Sequence, residues 1–228
     1  MHDPINRYQL AEFGSLIAEP ARAAMLLALL DNRARPAGEL ATLAGVGAAA
    51  ASAHLKRLSD AGLLAVEAQG RHRYYRLAGE HVAHWLETFA LASPRIAARK
   101  LPPVADAAFL RARTCYQHLA GRLGVALFDR LRGVSGLDLG SNAVRLNDRG
   151  ARLLAKCGLL DGTLGRAQRE GRTCVDWTER RFHLSGPLGT LLARRLIDNG
   201  WLRRTSGTRS LVISAAGRRG LAALDIEC

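Results

Sequence analysis

The sequence contains few cysteines, few aromatic residues and no long apolar run. Four cysteines in 228 residues, Cys115, Cys157, Cys174 and Cys228, are too few and too scattered for the disulfide framework of a small secreted protein. The longest apolar run, residues 23–30, is far shorter than the ~20 residues of a membrane-spanning helix, and no stretch has the pattern of a signal peptide. We therefore expect a cytoplasmic protein whose cysteines are thiols.

Acidic residues are also scarce, with 20 Asp and Glu against 33 Lys and Arg, for a net charge of +13. Residues 1–95 hold 10 basic and 9 acidic residues, leaving +1, so residues 96–228, with 23 and 11, carry the remaining +12. Such an excess indicates a polyanionic partner, although a solvated basic surface has the same composition. At 48% hydrophobic, the chain is long enough for two small cores.

Residues 36–61 have the pattern of two helices joined by a tight turn. Pro36 to Ala44 places proline in the first turn of a helix, with Glu39 near its positive end. Gly45 to Gly47 interrupts the pattern. A second helix is predicted from Ala48 to Ala61, with Ala51, Leu55 and Leu58 as its buried stripe.

The residues that follow Gly62 alternate with a period of two and predict a β-hairpin. An apolar run at residues 63–66 leads to a tip at Gln69-Gly70, and Arg71-His72-Arg73 then precedes Tyr74-Tyr75. Two helices followed by a hairpin with a basic edge indicate a winged helix-turn-helix. We expect a mainly α fold with small β hairpins.

The residues that carry this pattern resemble those of the ArsR/SmtB family of bacterial repressors. The matching residues are Ala18-Glu19-Pro20-Ala21-Arg22, Glu39-Leu40-Ala41, Ser52, His54-Leu55, Leu58, Ala61-Gly62-Leu63, Gly70-Arg71 and Tyr74-Tyr75-Arg76-Leu77. The match covers roughly residues 8–92. The resemblance implies a homodimer that places its two reading helices in successive major grooves of DNA.

On this basis we expect one set of DNA-contacting residues on the second helix and the hairpin. The basic members would hold phosphates, whereas Ser52 and His54 could reach phosphates or base edges. The set comprises Ser52, His54, Lys56, Arg57, Arg71, His72 and Arg73. Alanine occupies positions 48, 49, 50 and 53, where relatives carry polar residues, so thymine methyl contacts and DNA shape would contribute to sequence choice.

The metal sites of the family are not retained. His81 matches one ligand of the zinc site that relatives carry on the helix after the wing, but Gly79, Ala92 and Arg95 occupy the other ligand positions. Ala41-Thr42-Leu43 replaces the Cys-x-Cys of the alternative thiolate site. Zinc needs three or four converging ligands, so we predict no metal or cofactor in this half.

Helices are predicted on both sides of this motif. Residues 5–18 and 19–31 have apolar residues at helical spacing, as does the stretch from Gly79 to Ala92, where Val82, Trp85, Leu86 and Phe89 share one side. Such a stripe is usually core. The resemblance implies that the helix after the wing pairs with its twin across a dimer.

The proline-rich, basic stretch from Ser93 to Asp106 predicts a linker between domains at 1–95 and 105–228. In the second domain, Leu196 to Leu202 echoes Leu58 to Leu64, a strand at residues 210–214 follows, and a final helix begins at Ala215. We therefore predict a second, degenerate winged-helix-like domain for effector response or dimerisation. A helix from Ala108 to Leu131 would open it.

The second half also carries cysteines near histidines. On the predicted helix, Cys115 and His118 would lie one turn apart, and Cys174 stands near Asp176 and His183. Cys115, His118 and Cys174 are therefore candidates for a metal or thiol sensor. Buried cysteines with surface histidines are the alternative interpretation.

A different class of function is suggested by Gly45, Gly47 and Ala50, which fit the G-x-G-x-x-A fingerprint of NAD-binding enzymes, with Glu67 about 20 residues on. That fingerprint requires a buried strand before the first glycine, and the preceding residues have a helical pattern instead. We see no catalytic motif and expect a regulator rather than an enzyme.

Overall fold

The computed structural model describes residues 7–69, 72–93, 106–160 and 164–227, except the side chains of Gln9 and His72. The chain divides into two compact units, residues 1–105 and 106–228. None of the helices within the described ranges is long and apolar enough to span a membrane.

The first unit has the order α-α-β-α-α-β-β-α. Its elements are α1 (Arg7–Ile17), α2 (Pro20–Ala28), β1 (Arg35–Pro36), α3 (Ala37–Ala44), α4 (Ala48–Asp60), β2 (Leu64–Gln69), β3 (His72–Leu77) and α5 (Glu80–Ala92). The strands form one antiparallel sheet in the order β1-β3-β2. This is a winged helix-turn-helix, as the sequence predicts, and β2 and β3 form the wing.

The turn between α3 and α4 depends on its glycines. Gly45 ends α3 in the left-handed conformation (φ 67°), which a residue without Cβ adopts at little cost, and Gly47 caps α4. Leu40 of α3 and Leu55 and Leu58 of α4 are fully buried in the core of the unit. The prediction for Pro36 was wrong in one detail: it pairs with Tyr74 in the sheet and precedes α3, because an extended φ and ψ suit a strand.

The second unit consists of two copies of one motif: short helix, hairpin, long helix, hairpin, helix. The first copy is α6 (Ala107–Arg111), β4 (Arg113–Cys115), β5 (His118–Ala120), α7 (Gly121–Gly133), β6 (Leu137–Leu139), β7 (Ala143–Leu146) and α8 (Asp148–Lys156). The second copy is α9 (Arg166–Arg169), β8 (Glu170–Val175), β9 (Phe182–Ser185), α10 (Gly186–Asp198), β10 (Leu202–Arg204), β11 (Leu211–Ile213) and α11 (Ala215–Ala222).

The two copies are interlocked by strand pairing. Strand β7 of the first copy pairs with β8 of the second, which joins two hairpins into the sheet β6-β7-β8-β9. At the equivalent place on the other side, Arg113 of β4 bridges to Ser210 beside β11. The long helix of each copy also packs on the first hairpin of the other, α7 on β9 and α10 on β5. The unit is thus an internal, pseudo-two-fold pair with one shared leucine-rich core.

The predicted helix from Ala108 to Leu131 was wrong, because this stretch is α6, a hairpin and α7. Leu123 and Leu127 do lie on one buried face of α7, whereas Leu119 belongs to β5. Gly121 at φ 78° marks the break, and a Cβ there would lie 2.8 Å from the carbonyl oxygen of Leu110.

The predicted strand and helix near the C-terminus are confirmed as β11 and α11. The winged-helix assignment of the second unit is not confirmed, because a hairpin rather than a second helix precedes α10.

Candidate nucleic-acid interface and a buried cysteine–histidine cluster

Helix α4 presents one polar face to an open groove beside the wing. Ser52 and Lys56, one turn apart, line this groove together with Arg73 of β3. The Lys56 ammonium lies 2.7 Å from the Asp60 carboxylate, but both side chains are mostly exposed, so this pair is weak and free to exchange. The groove therefore brings a hydroxyl and two cations together on the surface formed by α4 and the wing.

His54 and Arg57, two other predicted DNA contacts, lie on the side of α4 that faces α1 and α2, and each interacts with a residue there. Arg57 donates a hydrogen bond to the Ser15 hydroxyl at 3.1 Å. His54 Nδ1 lies 3.3 Å from Nη1 of Arg22, a buried arginine whose Nε and Nη2 donate to the carbonyls of Leu16 and Ser15. Arg22 thereby fixes α4 against the end of α1 and orients the His54 ring.

Only some of the basic residues predicted for the edge of the wing lie within the described residues. Gly70 and Arg71 lie outside them, as does the side chain of His72. Arg73 is exposed. Arg76 pairs with Glu67 at 2.7 Å across the two wing strands.

Cys115, His118 and Cys174, the predicted sensor residues, come together in the second unit, and His183 joins them. The helical placement of Cys115 and His118 was wrong: they are directly opposed partners on β4 and β5, and Cys174 and His183 are the equivalent partners on β8 and β9. One ligand atom from each of the four lies within 4.8 Å of the others. Within the described ranges, this is the one such group of three or more His, Cys, Asp or Glu side chains.

Sequence spacing places His183 near Cys174 and Asp176 but does not connect it with Cys115 and His118. A short sequence repeat connects the two cysteine–histidine pairs, because Arg113-Thr114-Cys115 and Arg172-Thr173-Cys174 are identical. Each is followed by a His-Leu-x-Gly-x-Leu-Gly segment, at 118–124 and 183–189. The gap between Cys and His differs by six residues, which hides the repeat.

Beside the cluster, Arg113 and Asp176 form a buried ion pair at 2.8 Å, with side chains 1% and 0% exposed. Burial raises the pKa of the Asp176 carboxyl, but the Arg113 charge and hydrogen bonds from Thr178, Gly121 and Glu179 outweigh it and lower the pKa to about 2. Asp176 is thus an anion that fixes the loop between β8 and β9 and the start of α7.

The geometry does not provide the context that the NAD-binding alternative requires. Gly45 and Gly47 lie between two helices, with α3 where the buried strand should be. All strand pairings among the described residues are antiparallel, whereas dinucleotide-binding folds are built on parallel strands.

An exposed helix after a tight turn, beside a basic wing, defines the class of winged helix-turn-helix DNA-binding regulators. Comparison with known proteins agrees: residues 17–67 match a family model described as a helix-turn-helix domain. A protein named as an uncharacterized HTH-type transcriptional regulator, YdfF of Bacillus subtilis, is 36% identical over 92% of this chain and 93% of its own length.

Two further similarities are confined to the first unit. The HTH-type transcriptional regulator CmtR of Mycobacterium tuberculosis is 39% identical over 34% of this chain and 64% of its own length. A solution structure from Mycobacterium bovis, described as the homodimeric winged helix-turn-helix DNA-binding domain of a possible ArsR-family regulator, is 30% identical. It covers 40% of this chain and 89% of that one, with a TM-score of 0.35. The chain belongs to the family of HTH-type transcriptional regulators that includes YdfF.

Proposed function

We propose that the protein is a homodimeric transcriptional repressor that binds a two-fold symmetric operator through α4 and the wing. The observation that carries this proposal is the groove between them, where Ser52 and Lys56 of α4 face Arg73 of the wing. A helix entering the major groove with a basic hairpin beside it can hold phosphates on both sides of the groove.

In this proposal the predicted contacts divide by role. Lys56, Arg57, Arg71 and Arg73 hold phosphates, which fixes the position of α4 without reading sequence. Ser52 and His54 contact phosphates or base edges. His72 is a further DNA-contacting residue of the wing. Since Arg22 engages Nδ1 of His54, Nε2 is the nitrogen that would face DNA.

Ala48, Ala49, Ala50 and Ala53 occupy much of the rest of the helix surface that would enter the groove. Their methyl groups offer contact only to thymine methyls, so DNA shape completes the choice of sequence.

Apolar residues on α1 and α5 support the homodimer. Phe13 of α1 packs edge-on against Trp85 of α5, with ring centroids 4.1 Å apart, and Trp85 stacks on Phe89. Leu10 and Phe89 on these same helices are 66% and 50% exposed. A second copy would cover them, and a two-fold dimer would place two α4 helices on the same side of the DNA.

Control by an effector belongs to the second unit in this proposal, since that unit holds the buried thiols and imidazoles. Its Cys115 and Cys174 are present as thiols. Either metal binding or oxidation there would change the second unit without altering the residues that contact DNA.

The wing provides the first test. We expect the double variant Arg71→Ala/Arg73→Ala to bind every DNA sequence more weakly and to lower the slope of log affinity against log salt by up to about two. The measurement is DNA binding by fluorescence anisotropy at several salt concentrations, on specific and unrelated duplexes.

The matched control is Arg203→Ala/Arg204→Ala, which removes two exposed arginines from a hairpin of the second unit. It should keep the parental slope. An unchanged slope in the wing variant would remove the wing from the interface, and a reduced slope in the control would add the second unit to it.

A further inference from the structure

We propose that Cys115, His118, Cys174 and His183 form a four-ligand metal site that binds Zn²⁺. This goes beyond DNA binding, and nothing in it depends on the proposed operator. The site lies between the two copies of the internal repeat, and each copy contributes one cysteine and one histidine to it.

The fold supplies the four ligands as two matched pairs. Each copy contributes one cysteine and one histidine as directly opposed residues of its first hairpin, Cys115 with His118 and Cys174 with His183. Opposed side chains on antiparallel strands lie on the same face of the ladder. Strands β5 and β9 contact each other, so the two cysteine–histidine pairs face one another across the repeat.

The distances between the four ligand atoms are close to those of a tetrahedral zinc site. For tetrahedral zinc, Zn–N near 2.0–2.1 Å and Zn–S near 2.3 Å require ligand atoms about 3.3–3.8 Å apart. The Nε2 atoms of His118 and His183 are 3.1 Å apart, and all four ligand atoms lie within 4.8 Å of one another. The longest separation exceeds the tetrahedral distance by about 1 Å, a change that side-chain rotation can supply.

Gly124 of α7 and Gly189 of α10 allow the two long helices to pack closely against the histidine-bearing strands. A Cβ on Gly124 would lie 3.5 Å from Cβ of His183, and a Cβ on Gly189 would lie 3.2 Å from Cβ of His118. The same two atoms would lie only 2.6 and 2.5 Å from the carbonyls of Leu119 and Leu184, too close to fit. Glycine at these positions lets α7 of the first copy pack closely on β9 of the second. In the same way, α10 of the second copy packs closely on β5 of the first.

The burial, the charge and the ligand types of the cluster also suit Zn²⁺. His118 and Cys115 are 8% and 7% exposed, and His183 is 1% exposed. Zn²⁺ would bind two thiolates and two neutral imidazoles, with each thiol losing one proton to solvent, so the net charge of the buried site stays at zero. The exchange of two protons for one dication avoids the penalty of an unpaired buried charge. Thiolate and imidazole ligands favour zinc over Mg²⁺ or Ca²⁺, and four protein ligands leave no open position, as in structural sites.

An outer partner for the ring of His183 is also nearby. Its buried Nδ1 has no hydrogen-bond partner within the described residues, and it lies 4.0 Å from Oδ2 of Asp176. Metal-bound histidines commonly donate their other N–H to a carboxylate, which fixes the ring and its tautomer. A slight turn of the ring on metal binding would bring Asp176 into this role.

The test is a zinc titration of the full-length, reduced, metal-free chain, with Co²⁺ as a spectroscopic probe. We expect one Zn²⁺ per chain, and for Co²⁺ the visible absorption of a tetrahedral, thiolate-bound ion. This readout uses the unmodified chain and does not depend on the folding of any variant.

Variants then assign the ligands. Cys115→Ser, Cys174→Ser and His183→Asn should each weaken zinc binding by more than the roughly 10–100-fold that follows loss of an outer partner. The matched control is Cys157→Ser, a half-buried cysteine of the same unit that lies outside the cluster and whose thiol pKa is raised by burial. It should titrate like the parent.

Two results would overturn the proposal. One is a parent chain that binds no stoichiometric metal, including one that instead forms a Cys115–Cys174 disulfide under mild oxidation. The other is unchanged zinc binding in folded Cys115→Ser and Cys174→Ser. DNA binding enters none of these readouts, so they leave the proposed function untouched.

Discussion

Replacing Asp176 by alanine is expected to destabilise the second unit by about 3–5 kcal/mol, because it leaves a buried charge without its partner. The variant leaves the Arg113 guanidinium, 1% exposed, without its counter-charge. It also removes the acceptor for the backbone N–H groups of Gly121, Thr178 and Glu179. The free energy of unfolding from urea denaturation measures the loss.

The matched control is Asp148→Ala, which removes a carboxylate that pairs with Arg169 on the surface. It should change stability little, because water replaces the lost partner. The double variant Arg113→Met/Asp176→Leu should recover part of the stability that Asp176→Ala loses, since it leaves no buried charge. Equal, small effects of Asp176→Ala and Asp148→Ala would show that the buried pair contributes nothing to stability.

The same carboxylate sets a pH dependence. Its pKa of about 2 in the folded protein lies below the ordinary value near 3.9 in the unfolded chain. Folding is therefore favoured by this group above pH 4, and that contribution is lost as the pH falls from about 4 to about 2. The slope of stability against pH in this window should be smaller in the Arg113→Met/Asp176→Leu variant.

The second large effect is expected at the proposed dimer contact. Leu10→Asp/Phe89→Asp places two charges on the exposed apolar residues of α1 and α5, which should dissociate the dimer. A monomer binds only one half-site, so operator affinity should fall on the order of 100-fold or more. Sedimentation measures the oligomeric state, and the same samples are used for operator binding.

A matched control for this variant is Leu139→Asp, since Leu139 in the second unit is as exposed as Phe89, at 50%. It should stay dimeric and bind the operator normally. A Leu10→Asp/Phe89→Asp protein that remained a dimer would exclude α1 and α5 as the contact.

The first unit could be predicted from sequence because its signals are local. Gly45 and Gly62 interrupt helical patterns, and the buried stripe of Ala51, Leu55 and Leu58 needs no knowledge of distant residues. The sequence could not predict that Ser52 and Lys56 of α4 line the groove while His54 lies against Arg22. This placement depends on which side chains of α1 and α2 lie nearby, which is tertiary information.

The second unit shows where local reasoning fails. Leucines at 119, 123 and 127 have helical spacing, yet the first of them lies in a strand. The spacing of apolar residues cannot show that the helix begins only at Gly121, where φ is positive. The cysteine–histidine cluster joins residues up to 68 positions apart in sequence, from Cys115 to His183. Only the pairing of one copy of the repeat with the other brings them together.

The central claim is that this chain recognises a symmetric DNA site as a homodimer. Selection of bound duplexes from a random pool by the full-length protein, followed by sequencing, tests it most directly. The account predicts enrichment of a two-fold symmetric sequence whose half-sites lie about 10–10.5 base pairs apart, or a multiple of that spacing. A bound pool that stays random, or an enriched site without symmetry, would contradict it.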